Sequence, residues 1–254
     1  MPTFRVPIFA LVALFALVSA PAIAEPVKFT AEDGLEITGD VYRPTAPSNA
    51  VIVLFHQAGS SRGEYREIAP RLARKGYVAL AVDQRSGNTF AGVINETAAR
   101  AKAQGKAAGY TDALPDLRAS IQYAREKLGA RRVIIWGSSY SASLALVMAG
   151  REPKLVDGVL AFSPGEYFRG KPPVAKSAAR IRVPVFITAA RSEGKQWAGI
   201  FRAIRAKTPK TGFSPKGEGR HGSSALITGR SDAVPEYWTA VDGFLDTHFL
   251  ISGG

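Results

Sequence analysis

The chain has no cysteine among its 254 residues. That absence excludes a disulfide framework, a thiolate metal site and a cysteine nucleophile. Histidine is also scarce, with three residues in the whole chain, although it is the side chain that most often acts as a base near neutral pH. The candidates for a catalytic base are therefore confined to very few positions.

Acidic residues are outnumbered by basic ones, which gives the chain a formal net charge of +12. A basic surface attracts nucleic acids and anionic polymers. The Lys and Arg residues are nevertheless scattered, and their longest runs are pairs such as Arg74-Lys75. They also lack the interleaved aromatic residues of a single-strand binder. We therefore expect no nucleic-acid partner. The alternative is a basic protein that binds the cell envelope or nucleic acid, and its affinity for such a partner would fall steeply as the salt concentration rises.

The N-terminal residues have the pattern of a secretory signal peptide. Arg5 precedes the apolar run 6–18, and small residues at 22–24 offer a cleavage site. The run is shorter than the roughly 20 residues that a membrane span needs. We predict a signal at residues 1–24, one domain at residues 25–254, and an exported protein, periplasmic or secreted, with no stable membrane span after cleavage. An uncleaved anchor is the alternative.

Apolar runs and helical patterns alternate along the chain after an initial hairpin, whose turn is Asp33-Gly34. Continuous apolar runs are typical of strands covered on both faces, and they occupy 51–55, 77–82, 132–136, 157–162 and 183–188. Helical patterns lie between and after them. This order predicts an α/β fold with a mostly parallel central sheet and helices on both faces. Ligands of such sheets bind beyond the carboxyl ends of the strands.

Two glycine-serine pentapeptides compete for the role of nucleophile. GSSRG at 59–63 matches G-x-S-x-G literally, whereas GSSYS at 137–141 matches only as G-x-S-x-S. A nucleophile elbow needs a strand, a one-residue turn that carries the serine, and a helix that begins at once. The second pentapeptide directly follows a strand and precedes a helical run, whereas Ser61 lies in a loop. We predict Ser139 as the nucleophile; a helix N-cap is the alternative role.

Five motifs occur along the chain in a fixed order. They are VIVLFHQAG at 51–59, DQRSG at 83–87, VIIWGSSYS at 133–141, VPVFIT at 183–188 and RHG at 220–222. This ordered set resembles the α/β-hydrolase family, and in particular its dienelactone-hydrolase-like esterase branch. The resemblance implies an oxyanion hole formed by the backbone N–H groups of Gln57 and Tyr140, with His56 in a structural role. Ser141 departs from the family, which usually has glycine there.

The resemblance also implies that the acid and the base follow the nucleophile, in that order. His221 is the late histidine and lies in a glycine-rich loop, so we predict it as the base. His56 precedes the nucleophile, and His248 lies in the last helical run. The acid is expected after strand 183–188, where Glu193 is the available carboxylate. Glu166, which follows the preceding strand, remains the alternative acid.

These residues together predict acyl transfer to water through an acyl-enzyme on Ser139. The reaction needs neither a metal nor an organic cofactor. Segment 163–182 is too short for a large helical cap, which favours a small-molecule ester or lactone as substrate, and segment 84–110 is expected to line or cover the site. The alternative is a non-catalytic or peptidase-like member of the fold that binds a small ligand in the cell envelope. No feature indicates an oligomeric state.

Overall fold

A computed structural model describes residues 23–169 and 171–250. The predicted signal peptide therefore lies outside the described residues, apart from Ile23 and Ala24. The first strand begins at Glu25 and pairs with the second from that residue onward. No helix within the described ranges is long and apolar enough to cross a bilayer.

Eight strands form one sheet, in the order β1-β2-β4-β3-β5-β6-β7-β8. Their bounds are β1 Glu25–Thr30, β2 Glu36–Tyr42, β3 Ala50–Phe55, β4 Val78–Val82, β5 Arg132–Ser138, β6 Gly158–Phe162, β7 Val185–Thr188 and β8 Lys210–Phe213. Strand β2 is antiparallel to β1 and β4, whereas all the pairs among β3 to β8 are parallel. The predicted, mostly parallel sheet is confirmed.

Helices cover both faces of the sheet. Their bounds are α1 Ile68–Arg74, α2 Glu96–Ala103, α3 Leu114–Glu126, α4 Tyr140–Arg151, α5 Val174–Ala178, α6 Gly194–Ala203 and α7 Val234–Phe249. Alternate residues of β3 enter two separate cores. Val51, Val53 and Phe55 pack with α3 to α6, whereas Ile52 and Leu54 pack with α1 and α7. A strand buried on both faces needs apolar residues at every position, which explains the continuous run.

Segment 84–110, which we expect to line or cover the site, contains helix α2. Its N-cap is Asn95, whose side chain accepts the N–H of Ala98 at 2.8 Å. The Asn95 side-chain amide also donates to the carbonyl of Gln84 at 2.9 Å. A buried polar cap of this kind stabilises the start of the helix, although the helix has little apolar periodicity.

Asp83 and Arg85, both in the DQRSG motif at 83–87, form ion pairs with other segments of the chain. Asp83 accepts from the Arg62 guanidinium at 2.5 Å, and Arg85 contacts Asp116 at 2.6 Å and Asp33 at 2.7 Å. Strand β4 ends one residue before Asp83, so the two side chains lie in an irregular turn and reach different segments. The buried charges of Asp83 and Arg85 therefore both have partners, which offsets the cost of their burial.

Candidate active site

Ser139 lies at a strained junction between β5 and α4. Its backbone has φ +58° and ψ −122°, a conformation that non-glycine residues rarely adopt. Its N–H donates to the carbonyl of Phe162 at 2.8 Å, which ties the junction to β6. A Cβ on Gly137 would lie 2.3 Å from the carbonyl oxygen of Ser141. Glycine is therefore required where the helix folds back on the strand, and Ser139 has the backbone of a nucleophile elbow.

Ser61, from the literal G-x-S-x-G pattern, has a different local role. It is fully buried and caps the 3₁₀ turn Arg62–Tyr65, where its hydroxyl accepts the N–H of Gly63 at 3.1 Å. The same hydroxyl donates to the carbonyl of Val93 at 2.9 Å. A buried hydroxyl with both functions satisfied is a structural cap.

His221 and Glu193 are brought together from two separate loops. His221 precedes the 3₁₀ turn Gly222–Leu226, and its Nδ1 hydrogen-bonds to Glu193 Oε1. Burial alone would raise the pKa of Glu193, but hydrogen bonds from His221 and Ser163 outweigh it and hold the pKa below its ordinary value. Glu193 is therefore ionised and fixes the ring proton on Nδ1, which leaves Nε2 as the proton acceptor.

No direct hydrogen bond joins Ser139 Oγ to His221 Nε2 within the described residues. The two residues are nevertheless linked through their neighbours: the hydroxyl of Ser138 accepts the N–H of Ser223 at 2.9 Å. Catalytic hydrogen bonds are often long without substrate and shorten in the complex.

Glu166, the alternative acid, has both carboxylate oxygens engaged elsewhere. They accept the N–H groups of Val174 and Ala175, at 2.8 and 2.7 Å, at the first turn of α5. The side chain is exposed. Glu166 therefore caps a helix, and the carboxylate that contacts His221 is that of Glu193.

Ser163 is a site residue that the sequence did not reveal. It directly follows β6, as Ser139 follows β5, and it also has a positive φ of 56°. Its hydroxyl donates to Glu193 Oε2 at 2.7 Å and accepts the N–H of Gly222 at 2.8 Å. It thus connects the acid to the loop of His221. A serine directly after a neighbouring strand was the available signal.

The amide of Gln57, predicted as an oxyanion donor, already has an acceptor. Its N–H donates to Oε2 of the buried Glu64 at 2.8 Å. The next amide, that of Ala58, and the amide of Tyr140 at the first position of α4 have no acceptor within the described part of the chain. The Gln57 prediction is therefore corrected: the loop presents its free donor one residue later, because a side chain from another segment occupies the first.

His56 supports this loop from beneath. The N–H of Gln84 can only donate, so Nε2 of His56, 2.9 Å away, is an acceptor, and the ring proton is on Nδ1. Nδ1 then donates to the carbonyl of Gln57 at 2.7 Å. Burial lowers the pKa of His56 to about 4, so the ring is neutral under ordinary conditions. Among the described residues, no group of three or more acidic or histidine side chains is arranged to hold a metal ion.

A cleft of about 550 Å³ opens beside the histidine. Its walls include Gln57, Glu193, His221 and Phe90, and the last comes from the segment expected to line the site. The guanidinium of Arg230, a further wall residue, lies 4.8 Å from the Phe90 ring centroid. The volume lies within the range of small-molecule sites.

Aromatic side chains lie near the elbow as well. The ring of Tyr110, 42% exposed, stacks on that of Tyr140 with centroids 4.6 Å apart. The hydroxyl of Tyr167 donates to the carbonyl of Ser163 at 2.9 Å. Tyr110 and Tyr167 are thus partly exposed rings close to the elbow, whereas Tyr140 is buried.

Solved structures share this fold along nearly the whole chain. The esterase Pf2001 of Pyrococcus furiosus superposes with a TM-score of 0.70 at 20% identity, over 94% of this chain and 97% of that one. The dienelactone hydrolase of Anabaena variabilis gives a TM-score of 0.68 at 12% identity, over 90% of this chain and 99% of that one. The sheet and its helices are thus those of an α/β-hydrolase, and the predicted fold is confirmed.

The sequence itself matches the dienelactone hydrolase family over residues 37–207. The chain belongs to this family. It is also 28% identical over 144 residues to the quorum-quenching protein AidA of Acinetobacter baumannii; the match covers 55% of this chain and 44% of that protein. The chain thus spans less than half the length of this relative.

Proposed function

We propose that this chain is a hydrolase that cleaves small carboxylic esters or lactones through an acyl-enzyme on Ser139. The observation that carries the proposal is the positive φ of Ser139 between β5 and α4, with the bonded pair of His221 and Glu193 on adjacent loops. A strained serine at an elbow that contacts the loop of a carboxylate-oriented histidine fits the arrangement that activates a serine nucleophile.

In the proposed reaction, His221 Nε2 takes the proton of Ser139 as its oxygen attacks the substrate carbonyl. The same imidazole then gives the proton to the departing alcohol, and an acyl-enzyme remains. A water molecule, deprotonated by His221, attacks the acyl group and releases the acid. Glu193 stays ionised and stabilises the charged imidazole in both steps, which is consistent with its lowered pKa.

The negative charge that develops on the carbonyl oxygen would be stabilised by the amides of Ala58 and Tyr140. Both lack a protein acceptor among the described residues, and Tyr140 also brings the N-terminus of α4 toward the reacting atom. Preorganised donors need no rearrangement during the reaction, and loss of one typically costs ~10²–10³ in rate. The proposed steps use the chain's own groups and water.

A fluorescent fluorophosphonate probe tests the proposal, because it bonds covalently to activated serines. We expect the parent protein to be labelled, Ser139→Ala to remain unlabelled, and the matched control Ser61→Ala to be labelled like the parent. Labelling that survives Ser139→Ala would contradict the choice of serine. No labelling of the parent would favour the alternative, a non-catalytic or peptidase-like member of the fold that binds a small ligand.

We further propose that the protein is exported, with residues 1–24 removed as a signal peptide, and that it acts on a small molecule rather than on nucleic acid. Cleavage after Ala24 would leave every described strand intact, since β1 begins at Glu25. The small cleft volume supports a small-molecule substrate.

A further inference from the structure

Glu64 is a buried carboxylate outside the proposed catalytic set. It lies in the 3₁₀ turn Arg62–Tyr65 and is fully inaccessible to solvent. Its hydrogen-bond partners are uncharged, and it has no ion pair with a Lys or Arg within the described residues. Burial consequently raises its pKa above the ordinary value. An unpaired buried carboxylate is costly to folding, so stability does not account for its position.

The two oxygens of Glu64 hold different segments of the site. Oε2 accepts the N–H of Gln57, in the loop after β3, at 2.8 Å. Oε1 accepts the hydroxyl of Ser138, which directly precedes the nucleophile, at 2.7 Å. The Ser138 oxygen in turn accepts the N–H of Ser223, two residues after the proposed base, at 2.9 Å. One carboxylate therefore connects the loops of the oxyanion donor, the nucleophile and the base.

The close packing around Gly222 supports the same connection independently. This residue has φ +68°, and a Cβ there would lie 2.5 Å from the Ser138 hydroxyl and 3.2 Å from the Gln57 side chain. The three segments are thus in direct contact, and the backbone next to the proposed base leaves no room for a side chain. A small shift of any one segment would displace the other two.

The contact with Glu64 also orients the free amide of the oxyanion loop. The peptide between His56 and Gln57 is held at both ends, because its N–H donates to Glu64 and its carbonyl accepts the Ser141 hydroxyl at 2.6 Å. The carbonyl of the next peptide accepts Nδ1 of His56. In a planar trans peptide the N–H and the carbonyl point to opposite sides. The N–H of Ala58, in the peptide that links it to Gln57, therefore points away from the carbonyl that His56 holds.

We infer that Glu64 is a positioning residue that keeps the Ala58 amide, Ser139 and His221 in the mutual geometry that ester hydrolysis needs. This inference rests on the proposed function. Glu64 touches no reacting atom; it acts through Gln57 and Ser138.

The variant Glu64→Gln keeps the size of the side chain but replaces one of its two acceptors by a donor. Gln57 and Ser138 can then no longer both be held as they are. We expect kcat for p-nitrophenyl acetate to fall on the order of 10²-fold, with KM changed less than about threefold, because misplaced catalytic groups affect the transition state more than substrate binding. The matched control is Glu67→Gln, an exposed carboxylate three residues later, which should retain parental kcat.

Hydrogen exchange provides a readout that does not depend on activity. In Glu64→Gln, peptides covering residues 56–60 and 221–226 should exchange faster than in the parent, whereas Glu67→Gln should match the parent. Unchanged exchange in both peptides, or a parental kcat in Glu64→Gln, would overturn the inference. A parent protein without turnover would instead contradict the proposed function, and the exchange rates would still decide whether Glu64 anchors the two loops.

Discussion

Replacing Glu193 by glutamine should abolish most turnover, although the shape of the side chain is retained. Two donors converge on Oε2: the Ser163 hydroxyl at 2.7 Å and the Ala190 N–H at 3.0 Å. In Glu193→Gln they favour the amide oxygen at that position, which places the NH₂ group against Nδ1 of His221. An NH₂ group only donates. The ring proton must then move to Nε2, where it prevents proton uptake from Ser139.

An amide in place of a triad carboxylate typically costs about 10⁴ in kcat, because the histidine has the wrong tautomer. We expect a loss of about 10³–10⁴-fold for Glu193→Gln in the steady-state hydrolysis of p-nitrophenyl acetate, with little change in KM. The matched control Glu166→Gln removes one of the two acceptors that cap α5. Its kcat should remain within about twofold of the parent value, and its free energy of unfolding should fall by about 0.5–2 kcal/mol. A kcat of Glu193→Gln within tenfold of the parent, or a larger loss in Glu166→Gln, would rule out Glu193 as the acid.

Three further outcomes are expected. The pKa of Glu64 is higher in the folded than in the unfolded protein, so its ionisation destabilises the parent as the pH rises from the unfolded pKa of about 4.3 through the folded one. The Tm of Glu64→Gln, measured by calorimetry relative to the parent, should therefore increase over this pH range. A difference in Tm that does not change with pH would contradict this expectation. Tyr110→Ala should raise KM for phenyl esters about 2–10-fold more than KM for acetates of small alcohols, because stacking of Tyr110 on a substrate ring would contribute about 0.5–1.5 kcal/mol. Equal changes in the two KM values would exclude a substrate-binding role for Tyr110. Mass spectrometry of the exported protein should find Glu25 as the first residue, and a mature chain that retains residues 1–24 would contradict cleavage after Ala24.

The sheet could be predicted because its signal is local. Strands β3, β5 and β6 are buried on both faces, so nearly every residue in them is apolar and the runs are visible in the sequence. Helix α2 was missed for the converse reason. It has two buried residues among its eight, Thr97 and Ala101, so it carries little apolar periodicity, and the polar contacts of Asn95 that hold its start are not visible in a sequence.

The choice between the two pentapeptides was also local, because it depended on what precedes and follows each serine. Ser139 lies where a strand meets a helix, and Ser61 caps a short turn. The choice between Glu193 and Glu166 could not be made in this way. Both follow a strand of the sheet, and only the packing of distant loops decides which of them contacts His221.

The loop after β3 shows what a family resemblance can and cannot predict about an oxyanion hole. The resemblance points to this loop and to the amide of Gln57, but that N–H donates to Glu64, and we propose the amide of Ala58 in its place. The orientation of successive peptides in an irregular loop depends on the groups that hold each N–H and carbonyl. Here those groups include Ser141, whose hydroxyl binds the loop to α4 where the family usually has glycine. The contact gives this departure from the family a structural role.

Trapping the covalent intermediate tests the role of Ser139 most directly. The protein would be mixed with p-nitrophenyl acetate, quenched in acid within the first turnover, digested, and examined by peptide mass spectrometry. An acetyl group on Ser139, formed in a burst equal to the enzyme concentration and absent from His221→Ala, is the expected result. Turnover without an acetylated serine, or an acetyl group on Ser61 instead, would contradict the proposed mechanism.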